Sequence, residues 1–281
     1  MKERKISPDV IWQFGQYLSG EEKSKATIEK YTRDITAFAA YLDGAMLTKN
    51  QVIAYKQYLI EQGYASRSIN SMLASLNSLF RFMEWTDLRI KALRIQQQAF
   101  CSEEKELSRA EYERLCHVAQ KNHNERLNLI LQTICSTGIR VSELSYITVE
   151  SVRRGQTSVS LKAKIRTVFL PADLQRKLMK YIMDQKIQTG PVFVTKTGKA
   201  ISRSNIWREM KSLCEEAKVD PRKVFPHNLR HLFARIFYKA QRDIVKLADV
   251  LGHSSVNTTR LYIISTGIEH RRCIENMRLI I

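Results

Sequence analysis

Apolar residues recur every three and four positions through the first third of this chain, and no alternating stretch interrupts them. That period leaves helices packed on helices as the arrangement that hides them. Ser7-Pro8 reads as a cap and an N1 proline ahead of Val10, Ile11, Phe14 and Leu18. Ile28, Tyr31, Ile35, Phe38, Ala39 and Leu42 form a second stripe, closed by Asp43-Gly44. Thr48 can cap a third through Val52, Tyr55 and Leu59, and Gly63 ends it. Ser66 opens a fourth, through Ile69, Met72, Leu73, Leu76, Leu79, Phe80 and Met83.

Residues 87–106 lose the period and read as a linker. Ser108 with Glu111 is a capping box that opens the next region. A helical run through Leu127 to Cys135 stops at Thr137-Gly138. Residues 157–161 and 165–170 alternate and are joined by Lys162-Ala163-Lys164, so a hairpin is expected there. Helices are expected over 172–186, 202–218, 227–239 and 243–251, with short pieces to the end. The fold expected is mainly α. A four-helix domain spans 1–86, a linker 87–106, and a mostly helical domain with a small antiparallel β-sheet 107–281.

Charge narrows the partner. Lys and Arg number 46 against 28 acids, a formal net charge of +18 spread along the chain. Such a surplus opposes compact folding unless a polyanion relieves it. No apolar run is long enough to span a bilayer, and the polar start Met1-Lys2-Glu3-Arg4-Lys5 is unlike a secretory leader, so no membrane role is expected. Cys101, Cys116, Cys135, Cys214 and Cys273 are odd in number and widely spaced, as buried thiols of a reducing cytoplasm would be.

Three segments carry the residue types that phosphodiester chemistry needs. Cations must neutralise charge growing on the non-bridging oxygens, a nucleophile must lie in line, and an acid must reach the leaving oxygen. Thr137-Gly138-Ile139-Arg140-Val141-Ser142-Glu143-Leu144 places Arg140 directly after a turn, with Glu143 three residues on to orient the guanidinium or cap the backbone. In Pro226-His227-Asn228-Leu229-Arg230-His231, a helix would put His227, Arg230 and His231 on one face. Such a histidine pair can hold zinc, but a zinc-protease helix carries Glu where Asn228 stands and no third ligand is in view, so no metal is expected. Leu251-Gly252-His253 fits a helix end, and Tyr262 follows nine residues after His253. Singly, a tyrosine between Leu261 and Ile263 is an ordinary core residue.

In order, the three segments resemble those of the tyrosine recombinases, the phage-integrase and Xer-type family, whose pattern is TGxRxSEL, HxLRH, then LGH with a tyrosine nine residues later. The resemblance implies a SAM-like core-binding domain in residues 1–86 and a catalytic domain in 107–281. It implies Tyr262 as nucleophile forming a 3′-phosphotyrosine, Arg140 and Arg230 on the phosphate, His253 donating to it, and His227 as acid–base partner or phosphate contact. Glu143 and His231 support them. The family's hairpin lysine carries to Lys162, with Lys164 as the alternative, because Leu161-Lys162-Ala163-Lys164-Ile165-Arg166 lacks the usual glycines.

The activity implied is site-specific recombination by transesterification. It needs no cofactor, because one phosphate ester replaces another. The partners implied are double-stranded DNA and a homo-tetramer on paired sites, a monomer or dimer when free, with accessory recombination proteins allowed for. The setting implied is bacterial, cytoplasmic and nucleoid-associated. The segment after Tyr262, with Ile268, Cys273, Ile274, Met277, Leu279 and Ile280, could dock on a neighbouring subunit or on its own domain. The competing readings are a silent DNA-binding protein of the same fold and a type IB-like topoisomerase.

Overall fold

The computed structural model describes residues 4–95, 106–161, 164–195, 197–262 and 275–277. It divides into two compact units, Met1–Gln97 and Gln98–Ile281.

In the first unit, α1 (Pro8–Gly20), α2 (Lys25–Leu42), α3 (Lys49–Glu61) and α4 (Ser66–Phe82) follow the four apolar stripes. The side chains of Ser7 and Ser24 accept hydrogen bonds at the starts of α1 and α2, and Thr48 with Gln51 forms a capping box on α3. Phe14, Leu18, Ile35, Phe38, Val52, Leu59, Leu73, Leu76 and Phe80 make the core. The expected linker does not begin at residue 87. Leu88 is buried, and Ile90 and Leu93 pack on the bundle, so the chain stays on α4 for several residues after the helix ends.

The second unit opens with α5 (Arg109–Lys121), capped by Ser108 and Glu111 as the sequence suggests, and α6 (Glu125–Thr137). A 3-10 turn, Val141–Tyr146, leads to α7 (Val149–Arg154) and the antiparallel pair β1 (Gln156–Leu161) and β2 (Lys164–Phe169), with Gln156 opposite Phe169 and Leu161 opposite Lys164. Then come α8 (Ala172–Asp184), α9 (Arg203–Ser212), α10 (Pro226–Gln241), α11 (Ile244–Leu251) and α12 (Val256–Arg260). Leu127, Leu129, Ile130, Leu131 and Ile134 are all buried, so α6 is covered on every side and serves as the central helix. The helix expected over 202–218 stops at Ser212; Leu213, Cys214 and Ala217 remain buried in turns beyond it. Among the described residues no helix is long and apolar enough to cross a membrane. Cys116, Cys135 and Cys214 are free thiols, while Cys101 and Cys273 lie outside the described residues.

Candidate active site

The site is organised around a carboxylate. Gly138 ends α6 with φ +65°, and a Cβ there would overlap the Phe233 ring of α10, so only glycine lets the chain turn this close. The turn delivers Arg140 to the start of the 3-10 segment and Glu143 to the interior, where it is 0% exposed. Glu143 accepts hydrogen bonds from the Arg140 backbone (2.9 Å), from Arg140 Nη1 (2.7 Å) and from Arg166 Nη2 (2.5 Å). Burial alone would raise its pKa, but those hydrogen bonds and the charges of Arg166 and Arg140 outweigh it and hold the carboxyl below its ordinary value.

Arg166 belongs to this site, although the sequence pattern points to the neighbouring lysines instead. From β2 it reaches Val250 O (2.6 Å), and a Cβ on Gly252 would overlap its Cδ. The glycine of Leu251-Gly252-His253 therefore does more than end α11: it leaves room for a guanidinium. The signal available was an arginine two residues past the hairpin turn, but its partners lie 23 and 84 residues away.

Arg230 sits on α10 and is 1% exposed. It donates to Gly138 O, Leu251 O (2.6 Å) and His253 Nε2 (3.1 Å), so it caps the carbonyl ends of α6 and α11 where partial negative charge collects. Burial and then the charge of Arg140 bring its pKa down to about 10, which leaves it protonated at neutral pH. A guanidinium has only donors, so His253 Nε2 must accept and its proton must sit on Nδ1, which lies 2.9 Å from Thr259 Oγ1. Thr259 is the second member that sequence reasoning missed.

Tyr262 is 7% exposed. Its ring stacks on His231 (centroids 4.1 Å apart, planes 23° apart), meets His227 edge-on at 5.3 Å and lies 5.1 Å from His253. The hydroxyl is 3.4 Å from His227 Nε2. Burial, then surrounding positive charge, lowers all three histidines: His231 and His253 to about 4, and His227 in the same direction. All three are neutral at pH 7. Among the described residues, Glu143 is then the one acid ion-paired with any of Arg140, Arg166 and Arg230, binding the first two of them, and against three arginines it leaves two positive charges uncompensated. A cleft of about 910 Å³ reaches Arg140, His227 and Arg230 and is lined on its far side by Arg203, Trp207 and Arg208 of α9. Tyr262 does not line it, and His227 and Arg230 are the groups that meet both the cleft and the tyrosine.

The histidines give a stability prediction. Ordinary histidine titrates near 6.5, whereas His231 and His253 in the fold wait until about 4. Between those values the unfolded chain binds more protons, so stability falls as pH drops from 6.5 towards 4. Urea titrations at pH 7 and pH 5 should show the loss. His231→Phe, which keeps a ring against Tyr262, should show less of it; an unchanged loss would remove His231 as a source.

Lys162 lies outside the described residues, and Lys164 is placed by its backbone alone, opposite Leu161. Met277 is exposed, and the rest of the apolar tail named above lies outside the described residues. No group of three His, Cys, Asp or Glu is gathered as a metal would require, among the described residues.

Residues 105–267 match the model of the phage integrase family, and residues 11–87 match that of the phage integrase N-terminal SAM-like domain. The chain belongs to the phage integrase family. It is similar along its whole length to tyrosine recombinase XerA of Pyrococcus furiosus, at 28% identity over 100% of this chain and 98% of the relative. Tyrosine recombinase XerD of Listeria monocytogenes is 24% identical over 90% of this chain and 93% of its own. Among solved structures, the fold is similar to a lambda integrase dimer bound to a core site (TM-score 0.74, 17% identity, 91% of this chain and 94% of that one). It is likewise similar to XerH bound to a palindromic difH substrate (TM-score 0.71, 19% identity, 90% and 79%). Within the phage integrase family, the full-length match to recombinases identifies a DNA strand-transferring enzyme of the tyrosine recombinase class and favours neither a topoisomerase nor a silent relative.

Proposed function

We propose that this site-specific recombinase cuts and rejoins double-stranded DNA through Tyr262, with Arg140 and Arg230 on the scissile phosphate. The observation that carries the reading is the pair of uncompensated charges beside a tyrosine hydroxyl that already touches a neutral histidine. Cations held in a partly buried site without anions of their own are costly, and an incoming phosphate relieves that cost.

The chemistry balances without a cofactor. The Tyr262 oxygen bonds to phosphorus, its proton passes to His227 Nε2, and the bond from phosphorus to the 5′ oxygen breaks. Lys162, or Lys164 in its place, protonates that oxygen. Rejoining runs the same steps backwards with a 5′ hydroxyl from the partner site. His253 enters differently from a simple donor. Its Nε2 accepts from Arg230 in the free protein, so donation to phosphate requires the other tautomer and Arg230 Nη2 turned onto the phosphate. His231 stacks behind the nucleophile and Glu143 holds Arg140 in place.

The active assembly would be a tetramer on two sites, built from monomers or dimers in a bacterial cytoplasm and working on the nucleoid. A lambda integrase of the same fold has been seen as a tetramer on a Holliday junction, which supports that reading. The domains would divide as 1–86, with the packed segment that follows it, for clamping DNA and 107–281 for chemistry, the linking role expected of 87–106 falling to the part after Leu93.

The test is covalent capture. A duplex selected from random sequence by the full-length protein is nicked just beyond the cleavage point, so that the short fragment carrying the new 5′ hydroxyl is lost and rejoining is blocked. A denaturant-resistant adduct should form, and peptide mapping should place the nucleotide on Tyr262. Attachment to any other side chain, or no adduct on a duplex that binds, would sink the assignment.

A further inference from the structure

Two asparagines on α4 hold the segment that follows the bundle. Asn77 donates to Ile90 O (2.9 Å) and accepts from Ile90 N (2.9 Å). Asn70 does the same with Leu93, at 2.9 and 2.7 Å. Each amide therefore satisfies both backbone groups of one residue, as a neighbouring strand would. The register is geometric. Seven residues of helix rise about 10.5 Å, and three residues of extended chain cover about 10 Å, so the two asparagines match the two residues with the segment running back along the helix. Lys49 Nζ donates to Arg89 O, and Lys56 Nζ to Lys91 O (3.0 Å), from α3. Ile90 and Leu93 point into the bundle.

The result is a fixed strap whose outward side chains are basic. Arg89, Lys91 and Arg94 are exposed, and residues 88–95 contain no acid. Asp87, the nearest carboxylate in sequence, is occupied by Arg4 at 2.6 Å. On extended chain Arg89 and Lys91, two residues apart, are about 6.6 Å apart, close to the step between successive phosphates on one strand, and Arg94 lies about 10 Å further along. Asparagine is a poor helix former, so two of them inside α4 are a local cost that fastening the strap explains.

We propose that Arg89–Arg94 is a pre-ordered phosphate-binding strap that takes the sugar–phosphate backbone of the bound duplex. A loose basic tail would lose about 1–2 kcal/mol of backbone entropy per residue on binding; here the bundle has already fixed the backbone. This inference rests on the DNA reading above but concerns a surface of the first unit, which contains none of the residues assigned to the tyrosine chemistry.

The experiment titrates a selected duplex with full-length Tyr262→Phe protein as salt is varied. Each phosphate left without its cation lowers the slope of log affinity against log salt by about 0.9, or roughly eightfold in affinity at 0.1 M salt. Arg89→Gln, Lys91→Gln and Arg94→Gln together should lower the slope by about 2 to 3 and weaken binding by roughly 10²-fold. Removing the same charge at exposed Lys23, Lys25 and Lys180 should leave the slope nearly unchanged. Asn70→Ala with Asn77→Ala keeps every charge, so it should weaken binding about tenfold with little change in slope. Equal slopes for the two charge triples would overturn the strap, and full affinity in the asparagine pair would overturn its pre-ordering. A parent protein that binds no duplex would overturn the DNA reading itself, which separates the two failures.

Discussion

Tyr262→Phe should remove strand cleavage by at least about 10⁶-fold, the lower end of what enzymes add to such reactions, while folding and duplex binding survive. Among the described residues, the oxygen at the site placed against a free proton acceptor is the Tyr262 hydroxyl on His227, and phenylalanine has nothing to attack with. Thr259, another hydroxyl of the site, is bound to His253. The structural cost is small because the hydroxyl's contact is long, 3.4 Å, and its loss should cost under about 1 kcal/mol. The ring still stacks on His231 and keeps its place among three imidazoles. Tyr262→Ala separates the two effects. It removes a buried ring as well as the nucleophile, and should cost roughly 3 kcal/mol of stability on top of the same catalytic loss. The adduct on a nicked duplex and a thermal melt report both quantities. A covalent band in the phenylalanine variant would show that another residue attacks.

Much of this arrangement is written locally. Ser7-Pro8, Thr48 with Gln51 and Ser108 with Glu111 fix helix starts through contacts three residues long, so the sequence shows them. The same holds for Arg140 after Gly138 and His253 after Gly252, where a glycine turn sets the position of the next functional side chain. The structure brings Arg140, His227, Arg230, His253 and Tyr262 together as the motif order suggests. Other features depend on contacts that no window contains. Arg166 reaches Val250 across 84 residues, and the α9 face with Arg203 and Trp207 enters the cleft through the packing of its helix. α7 has six residues, too few for a stripe to declare itself. The strap reads as linker in the sequence because its apolar residues, Leu88, Ile90, Leu93 and Ile95, keep neither a helical nor an alternating period, and the two asparagines that fasten it lie thirteen and twenty-three residues upstream.

Arg230 is where stability and activity should part most clearly. Its burial and the nearness of Arg140 disfavour the charged form, and a pKa brought from 12.5 to about 10 corresponds to about 3 kcal/mol against the fold. Against that, it satisfies Gly138 O and Leu251 O, each costing about 1–3 kcal/mol if left bare. The two sums nearly cancel. Arg230→Met fills a similar volume without the charge, so it should stay within about 2 kcal/mol of the wild type. Its cleavage rate should fall by about 10⁴-fold or more, because two donors to the phosphate vanish and each is worth about 10²–10³. Arg230→Lys should recover little, since a single ammonium cannot span two carbonyls and a phosphate as the planar fork does. Urea unfolding and single-turnover cleavage on the same preparations decide the matter. If Arg230→Met is destabilised by more than about 4 kcal/mol, the guanidinium is a structural strut, and its role in gripping phosphate would have to pass to Arg140 alone.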